Sequence, residues 1–175
     1  MEAVAHELPT NGRIRSKQVT WEDPMALAAE AGGMSGLEFL RSMIEGRLPR
    51  PPIAALLGFT LVDVGEGWAV FEGEVGEEHY NPIGVVHGGL SGMLADSAMG
   101  CAVQSTLPAG SGYTTLEFKV NLVRPITAET RLIRCRAEIV HVGRRTGTAE
   151  ARVTDPNGRL LAHATTTCLI LRPEE

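Results

Sequence analysis

The feature that most constrains this chain is a long segment from Asn81 to Leu107 in which Asp96 is the only formally charged side chain. From Gly89 to Ser105 the segment is apolar on almost every side and rich in Gly, Ala and Ser, which predicts a buried helix. A carboxylate is costly to bury unless it is hydrogen-bonded or has a function. The segment therefore predicts a buried helix, in which Asp96 is either a functional acid or a helix-surface residue with apolar neighbours.

Strands are predicted on both sides of this helix. Alternating apolar and polar residues indicate strands at 68–75, 113–123, 131–140 and 146–154, and a last strand at 159–171. Asp155-Pro156-Asn157-Gly158 predicts a hairpin turn between the last two. A sheet with one polar face is typically antiparallel. Periodicity alone thus predicts an α+β class, with an antiparallel sheet and one buried helix.

The first 48 residues are predicted to form an N-terminal extension, partly disordered and with short helices, ahead of a domain at 49–175. Residues 1–22 are polar and without periodicity. Asp23-Pro24 is expected to begin one helix, and Ser35-x-x-Glu38 resembles a capping box that begins another. Three prolines at 49, 51 and 52 then predict a stiff linker, followed by a short apolar turn at 53–57.

Charge and composition narrow the possible functions. A length of 175 residues with 43% hydrophobic and 21% charged residues is ordinary for one globular domain. The net charge of −5 argues against nucleic acid as a partner. Residues 113–175 nevertheless hold ten Lys and Arg against seven acids. An anionic ligand is therefore expected to meet this last third of the chain.

Several further classes are disfavoured. The most apolar stretch, 82–103, contains five Gly together with His87 and Asp96, which argues against a membrane span. The N-terminus has no apolar core typical of a signal peptide. Three Cys without a C-x-x-C pair indicate a reducing compartment, and the scattered His residues predict no metal site. We expect a cytoplasmic protein with no metal and no cofactor.

The run Asn81-Pro82-Ile83-Gly84-Val85-Val86-His87-Gly88-Gly89, with Asp96 nine residues after His87, resembles the HGG…D signature of one enzyme family. The family is that of the hotdog-fold acyl-CoA thioesterases of the PaaI-like (phenylacetic acid pathway) type. The family-like pattern extends from about residue 52 to residue 170. The resemblance implies the hotdog fold, a curved antiparallel sheet wrapped around the long central helix. It also implies hydrolysis of an acyl- or aryl-CoA thioester to a free acid and coenzyme A.

The resemblance assigns catalytic roles to particular residues. Asp96 would act as general base or as nucleophile, and the residues leave that choice open. The backbone N–H of Gly88 would hold the thioester oxygen, because N–H groups at a helix N-terminus carry partial positive charge. Asn81 would contact the thioester as well. Thr115 matches a hydroxyl residue that orients the attacking water in some relatives.

Substrate-binding roles follow from the same resemblance. His87 and Gly89, at the turn into the helix, are assigned to the substrate-binding site, and His87 is expected to act structurally by donating a hydrogen bond that fixes this turn. Arg144 and Arg145 would meet the coenzyme A phosphates, which suit the forked donors of Arg.

The spacing within the helix predicts an oligomer. Asp96 lies seven residues beyond Gly89, which is about 10.5 Å of helix rise. One carboxylate cannot then meet a carbonyl that is held at Gly88 of the same subunit. We therefore expect a site shared between two subunits, in a dimer of hotdogs that pairs into a tetramer.

Two other functions remain as alternatives. A hotdog protein that binds acyl-CoA without turnover, as a sensor or carrier, is the main one. A hotdog dehydratase is disfavoured, because Cys101 stands where that class has a His on the helix.

Overall fold

The computed structural model describes residue 12 and residues 14–172, so the disorder expected at 1–11 and 13 lies outside the described residues. Two helices, α1 (Pro24–Ala31) and α2 (Gly36–Ile44), begin where the sequence predicts them. The Asp23 carboxylate accepts a hydrogen bond from the Met25 N–H, and the Ser35 hydroxyl accepts one from the Glu38 N–H. Both side chains therefore act as helix N-caps.

Two elements differ from the prediction. The segment after the prolines is a helix, α3 (Pro52–Leu57), which ends at Gly58 with a left-handed φ of 72°. A strand that the sequence analysis missed, β1 (Phe59–Gly65), follows directly. A β-bulge between Leu61 and Asp63 interrupts the pairing of β1. The bulge removes the strict alternation by which a strand is recognised in sequence.

The remaining predicted elements are confirmed, with small shifts at their ends. A six-stranded antiparallel sheet has the order β1-β2-β4-β5-β6-β3, so that β1 and β3 form its open edges. The long helix, α4, connects β2 to β3. The bounds of these elements are β2 (Trp68–Glu74), α4 (Gly88–Gln104), β3 (Gly112–Leu122), β4 (Leu132–Val142), β5 (Thr146–Thr154) and β6 (Leu160–Leu171).

Helix α4 contacts all six strands and forms the centre of the core. Small side chains allow the sheet to approach it closely. A row of alanines, buried and paired from one strand to the next, crosses β2, β4, β5 and β6: Ala69, Ala137, Ala151 and Ala164. The predicted hotdog architecture, a sheet wrapped around a buried helix, is thereby confirmed.

One face of α4 is made for close contact with the edge strand β3. Gly88, Gly92 and Gly100 share this face with Asp96, at a spacing of four residues. A methyl group built on Gly92 would lie 3.4 Å from the Phe118 ring, and one on Gly100 would collide with the Tyr113 ring. Asp96 is therefore the one member of this row with a polar side chain.

A β-bulge in β3 decides which side chains face α4. The pairing of β3 with β6 shifts between Thr115 and Glu117. Before the shift Thr115 points at α4, whereas beyond it Phe118 does. An unbroken alternation would place these two residues on opposite faces. The bulge thus turns the Thr115 hydroxyl towards the helix.

Candidate active site

Asp96 and Thr115 are brought into direct contact. The Thr115 hydroxyl donates a hydrogen bond to Asp96 Oδ1 at 2.9 Å, and both residues are half-buried. Within residues 14–172 no hydrogen bond involves the second carboxylate oxygen, Oδ2. A carboxylate with one oxygen fixed and the other open is placed to accept a proton from a water molecule.

The first turn of α4 begins at His87. Its Nδ1 accepts a hydrogen bond from the Gly89 N–H at 2.9 Å, so His87 accepts at this turn, where donation was predicted. This bond occupies the Gly89 N–H. No acceptor for the Gly88 N–H is found in the described part of the chain. The first N–H groups of a helix have no hydrogen-bond acceptor within the helix. The Gly88 N–H is one of them and is therefore suited to donate a hydrogen bond to an oxyanion.

Asn81 lies in the loop ahead of α4 and shapes it. Its Oδ1 accepts a hydrogen bond from the Ile83 N–H at 3.0 Å, and its own N–H bonds to the Val85 carbonyl at 2.8 Å. Among the described residues no hydrogen bond joins Asn81 to Gly88 or Asp96. The His87 N–H closes the loop at its base by bonding to the His79 carbonyl at 2.8 Å, and the Val86 N–H fixes the loop to the Ile126 carbonyl at 2.9 Å.

The predicted catalytic residues fall into two groups in one protomer. Asp96 and Thr115 lie in the middle of α4, whereas Asn81 and Gly88 lie at its start. The eight residues from Gly88 to Asp96 correspond to about 12 Å along the helix axis. One protomer by itself does not gather both groups around a single carbonyl.

Arg144 and Arg145 lie in the turn between β4 and β5 and are both exposed. The Arg145 carbonyl accepts a hydrogen bond from the Ile170 N–H, and Ile170 pairs with Tyr113 of β3. Two strand spacings, about 10 Å, therefore separate the turn from the start of β3. Across residues 14–172 neither arginine takes part in an ion pair, so both are available to an anion.

Tyr113 and Cys101, which the sequence analysis did not assign to the site, also lie near Asp96. Tyr113 packs on Gly100, one turn beyond Asp96, and Cys101 follows Gly100. Burial raises the pKa of the Cys101 thiol to about 12, with the Asp96 charge as the second cause. A protonated thiol is a poor nucleophile. Tyr113 and Thr115 are two residues apart in β3 and therefore lie on the same face of the strand. This spacing is the sequence signal that could have assigned Tyr113 to the site.

Among residue 12 and residues 14–172, no group of three or more His, Cys, Asp or Glu side chains is placed to hold a metal ion. None of the helices in this part of the chain has the length and apolar character needed to cross a bilayer.

The fold and the site define a hotdog protein with an acid on its central helix, and comparison with known proteins agrees. Residues 83–162 match the family model of the thioesterase superfamily. A 1,4-dihydroxy-2-naphthoyl-CoA hydrolase of Listeria monocytogenes is 30% identical over 105 residues, which is 60% of this chain and 84% of the relative.

Solved structures show the same likeness. A phenylacetic acid degradation-related protein from Ralstonia eutropha has 30% identity and a TM-score of 0.68, over 74% of this chain and 98% of its own. A mutant of the phenylacetic acid degradation protein PaaI from Thermus thermophilus has 31% identity and a TM-score of 0.62, over 70% of this chain and 100% of its own. The chain belongs to the thioesterase superfamily, in its hotdog-fold, PaaI-like branch. It is a thioester hydrolase.

Proposed function

We propose that this protein hydrolyses an acyl- or aryl-CoA thioester to a free acid and coenzyme A, with water activated by Asp96. The observation that carries the proposal is the Thr115–Asp96 hydrogen bond, which fixes a half-buried acid on the central helix. The coenzyme A thioester is supported by the name of the Listeria relative. The three cysteines are free thiols, which fits a reaction carried out in the cytoplasm.

In the proposed reaction Asp96 takes a proton from water as the oxygen attacks the thioester carbonyl. The negative charge that develops on the carbonyl oxygen is held by the Gly88 N–H and by the Asn81 side chain. The C–S bond then breaks, and the proton on Asp96 passes to the departing sulfur. Attack by Asp96 itself would form a mixed anhydride, which water would then cleave. General-base attack in ¹⁸O-water puts the label only into the free acid, so ¹⁸O found in Asp96 after a single turnover with enzyme in excess would show an anhydride that water cleaves at the Asp96 carbonyl.

A shared site requires a second subunit, and the edge strand β3 offers the surface for one. Leu116 and Leu122 are 57% and 60% exposed on this strand, and Met93 of α4 is 40% exposed. An unpaired edge with exposed apolar side chains favours pairing with another strand. We propose a dimer through the two β3 edges, in which Gly88 and Asn81 of one subunit complete the site at Asp96 of the other. Two such dimers would form the tetramer.

Arg144 and Arg145 are proposed to bind the coenzyme A phosphates. They are exposed, they carry no partner carboxylate among residues 14–172, and they lie at the end of the sheet where β3 begins.

Replacing Asp96 by Asn tests the proposed reaction. Asn is nearly isosteric and keeps an oxygen for the Thr115 hydroxyl, so the fold should remain. We expect kcat to fall by about 10²–10⁴, the range typical of losing a general base. Thiol release is measured over a panel of aryl, short, medium and long acyl-CoAs, with circular dichroism as the check on folding.

Asp63→Asn, at an exposed position on β1, is the matched control and should keep full activity. Wild-type rates in Asp96→Asn would contradict the proposal. Binding of acyl-CoA without thiol release from any substrate would favour the sensor or carrier alternative instead.

A further inference from the structure

A cavity of about 180 Å³ lies between helices α2 and α3 on one side and the central helix on the other. Met43 of α2 and Ala54 of α3 line it from the N-terminal side. Ser97 and Cys101 of α4 line it from the other, with Tyr113 of β3. Its exposed lining is mainly apolar, which is the common character of a pocket for an apolar group.

The cavity begins beside the proposed catalytic acid. Ser97 directly follows Asp96 in α4, and Tyr113 precedes Thr115 by two residues in β3. Tyr113 packs on Gly100, which lies about 6 Å along the helix axis from Asp96. A thioester carbonyl at Asp96 would therefore place its acyl group within reach of the cavity.

Arg50 is the charged residue of the lining. Its guanidinium donates a hydrogen bond to the Thr60 hydroxyl at 3.1 Å, and the residue is exposed. Because its charge stays in water, Arg50 does not make the interior polar.

We propose that α2 and α3 close an acyl chamber that admits a group of about the bulk of one six-membered ring and stops longer chains. This inference rests on the proposed thioesterase function. The volume is sufficient for one such ring, since an apolar cavity of about 150 Å³ is known to hold benzene. Met43 and Ala54 are the specificity-determining residues, because they form the wall opposite α4.

Both wall helices lie outside residues 83–162, the part that matches the family model. The family model itself therefore does not define this wall.

Filling the chamber is the first test. Ala54→Leu adds bulk at a fully buried position of the wall. Ala55→Leu is the control, because it adds the same bulk at the next residue, which lines a groove outside the chamber that is rich in charged side chains. Affinity is measured by calorimetry for coenzyme A, phenacyl-CoA and dodecyl-CoA, the last two being thioethers that the enzyme cannot hydrolyse. We expect Ala54→Leu to weaken the binding of phenacyl-CoA about tenfold and to leave the affinity for coenzyme A unchanged. Ala55→Leu should change neither.

Opening the chamber is the second test and does not depend on the first variant folding. Met43→Ala removes part of the wall, and Ile44→Ala, at the next position of α2 but outside the lining, is its control. We expect wild type to bind phenacyl-CoA at least tenfold more tightly than dodecyl-CoA. Met43→Ala should raise the affinity for dodecyl-CoA about tenfold, with no change in Ile44→Ala.

The outcomes separate this inference from the proposed function, because binding is measured without turnover. Equal affinity of wild type for phenacyl-CoA and dodecyl-CoA would overturn the chamber, even if the protein is an active thioesterase. The chamber is also overturned if folded Ala54→Leu and Met43→Ala both bind as wild type does. If the expected affinities appear without hydrolysis of any thioester, the chamber stands and the catalytic proposal fails.

Discussion

Thr115 shows how one hydroxyl can determine the orientation of a proposed catalytic group. The Asp96 side chain projects from a helix whose neighbouring positions on that face are glycines, so little packing holds it in place. The bond from the Thr115 hydroxyl to Oδ1 supplies this constraint. It leaves Oδ2, which has no hydrogen bond within residues 14–172, open to the proposed water. We therefore propose Thr115 as a positioning residue that acts through Asp96.

We predict that Thr115→Val lowers kcat about tenfold or more, because a hydrogen bond to a charged group typically contributes about 1.5–3 kcal/mol. KM should change little, since the hydroxyl is not proposed to touch the substrate. Thr115→Ser should restore the rate by returning the donor. Thr114→Val, at the exposed neighbouring position, is the control. A rise in KM with kcat intact would instead place Thr115 in substrate binding.

At the scale of elements, the turns of the sheet carry separable roles. The β4–β5 turn presents Arg144 and Arg145, which are proposed to meet phosphates that are the same in the ground and transition states. Replacing both by Ala should therefore raise KM at least tenfold and nearly preserve kcat. Steady-state kinetics measure this, and Arg152→Ala, on the adjoining strand β5, is the control. An unchanged KM would show that the coenzyme A phosphates bind at another place on the protein.

The β5–β6 turn contributes to stability through Asp155. Its Oδ1 accepts hydrogen bonds from the N–H groups of Asn157 and Arg159, and its Oδ2 pairs with the Arg159 side chain at 2.8 Å. The Arg159 side chain is the first cause that lowers the pKa of Asp155 below its usual 3.8, and the backbone N–H bonds add to this. The folded state therefore favours the charged carboxylate.

This lowered pKa predicts how stability depends on pH. The stabilisation is complete above the unfolded value of 3.8 and is lost as the pH falls through the lower, folded value. Asp155→Asn should be less stable than wild type at pH 7, and the difference should shrink on acidification. Urea unfolding at several pH values measures this, with Glu66→Gln in the exposed β1–β2 turn as the control. A difference that is independent of pH would contradict the argument.

At the scale of the whole molecule, the open β3 edge of the sheet would connect the proposed assembly to activity. Leu116 lies in the bulge of β3, away from the helix contacts that Phe118 makes, and is largely exposed. A charge placed there should prevent the proposed β3 pairing without disturbing the core of the protomer.

We predict that Leu116→Glu yields a folded monomer in which thioester hydrolysis falls at least a hundredfold, because Gly88 and Asp96 of one chain cannot share a carbonyl. Light scattering gives the mass, and circular dichroism checks the fold. Val140→Glu, at a position on β4 that is 66% exposed, should leave both mass and activity unchanged. A fully active monomer would contradict the shared site.

Much of the fold could be predicted from the sequence, because each of those features is encoded locally. The α4 segment is recognisable by its lack of charge, and four of the strands by their alternation. Asp23 and Ser35 mark helix starts by side-chain chemistry that needs only the next few residues. Asp96 itself stands out because a lone acid in an apolar segment is costly unless it has a function.

The tertiary structure decided the features that depend on partners distant in sequence. The β3 bulge turns Thr115 towards Asp96, and bulges depend on the pairing of two strands, which alternation in one strand cannot reveal. Strand β1 escaped prediction for the same reason. The cavity beneath α2 and α3 is lined by Met43, Ala54, Cys101 and Tyr113, which are distant from one another in sequence. The sequence by itself thus determined the central helix, most strands and the candidate acid, since these follow from local chemistry and periodicity. Which residues stand beside that acid was decided by long-range packing.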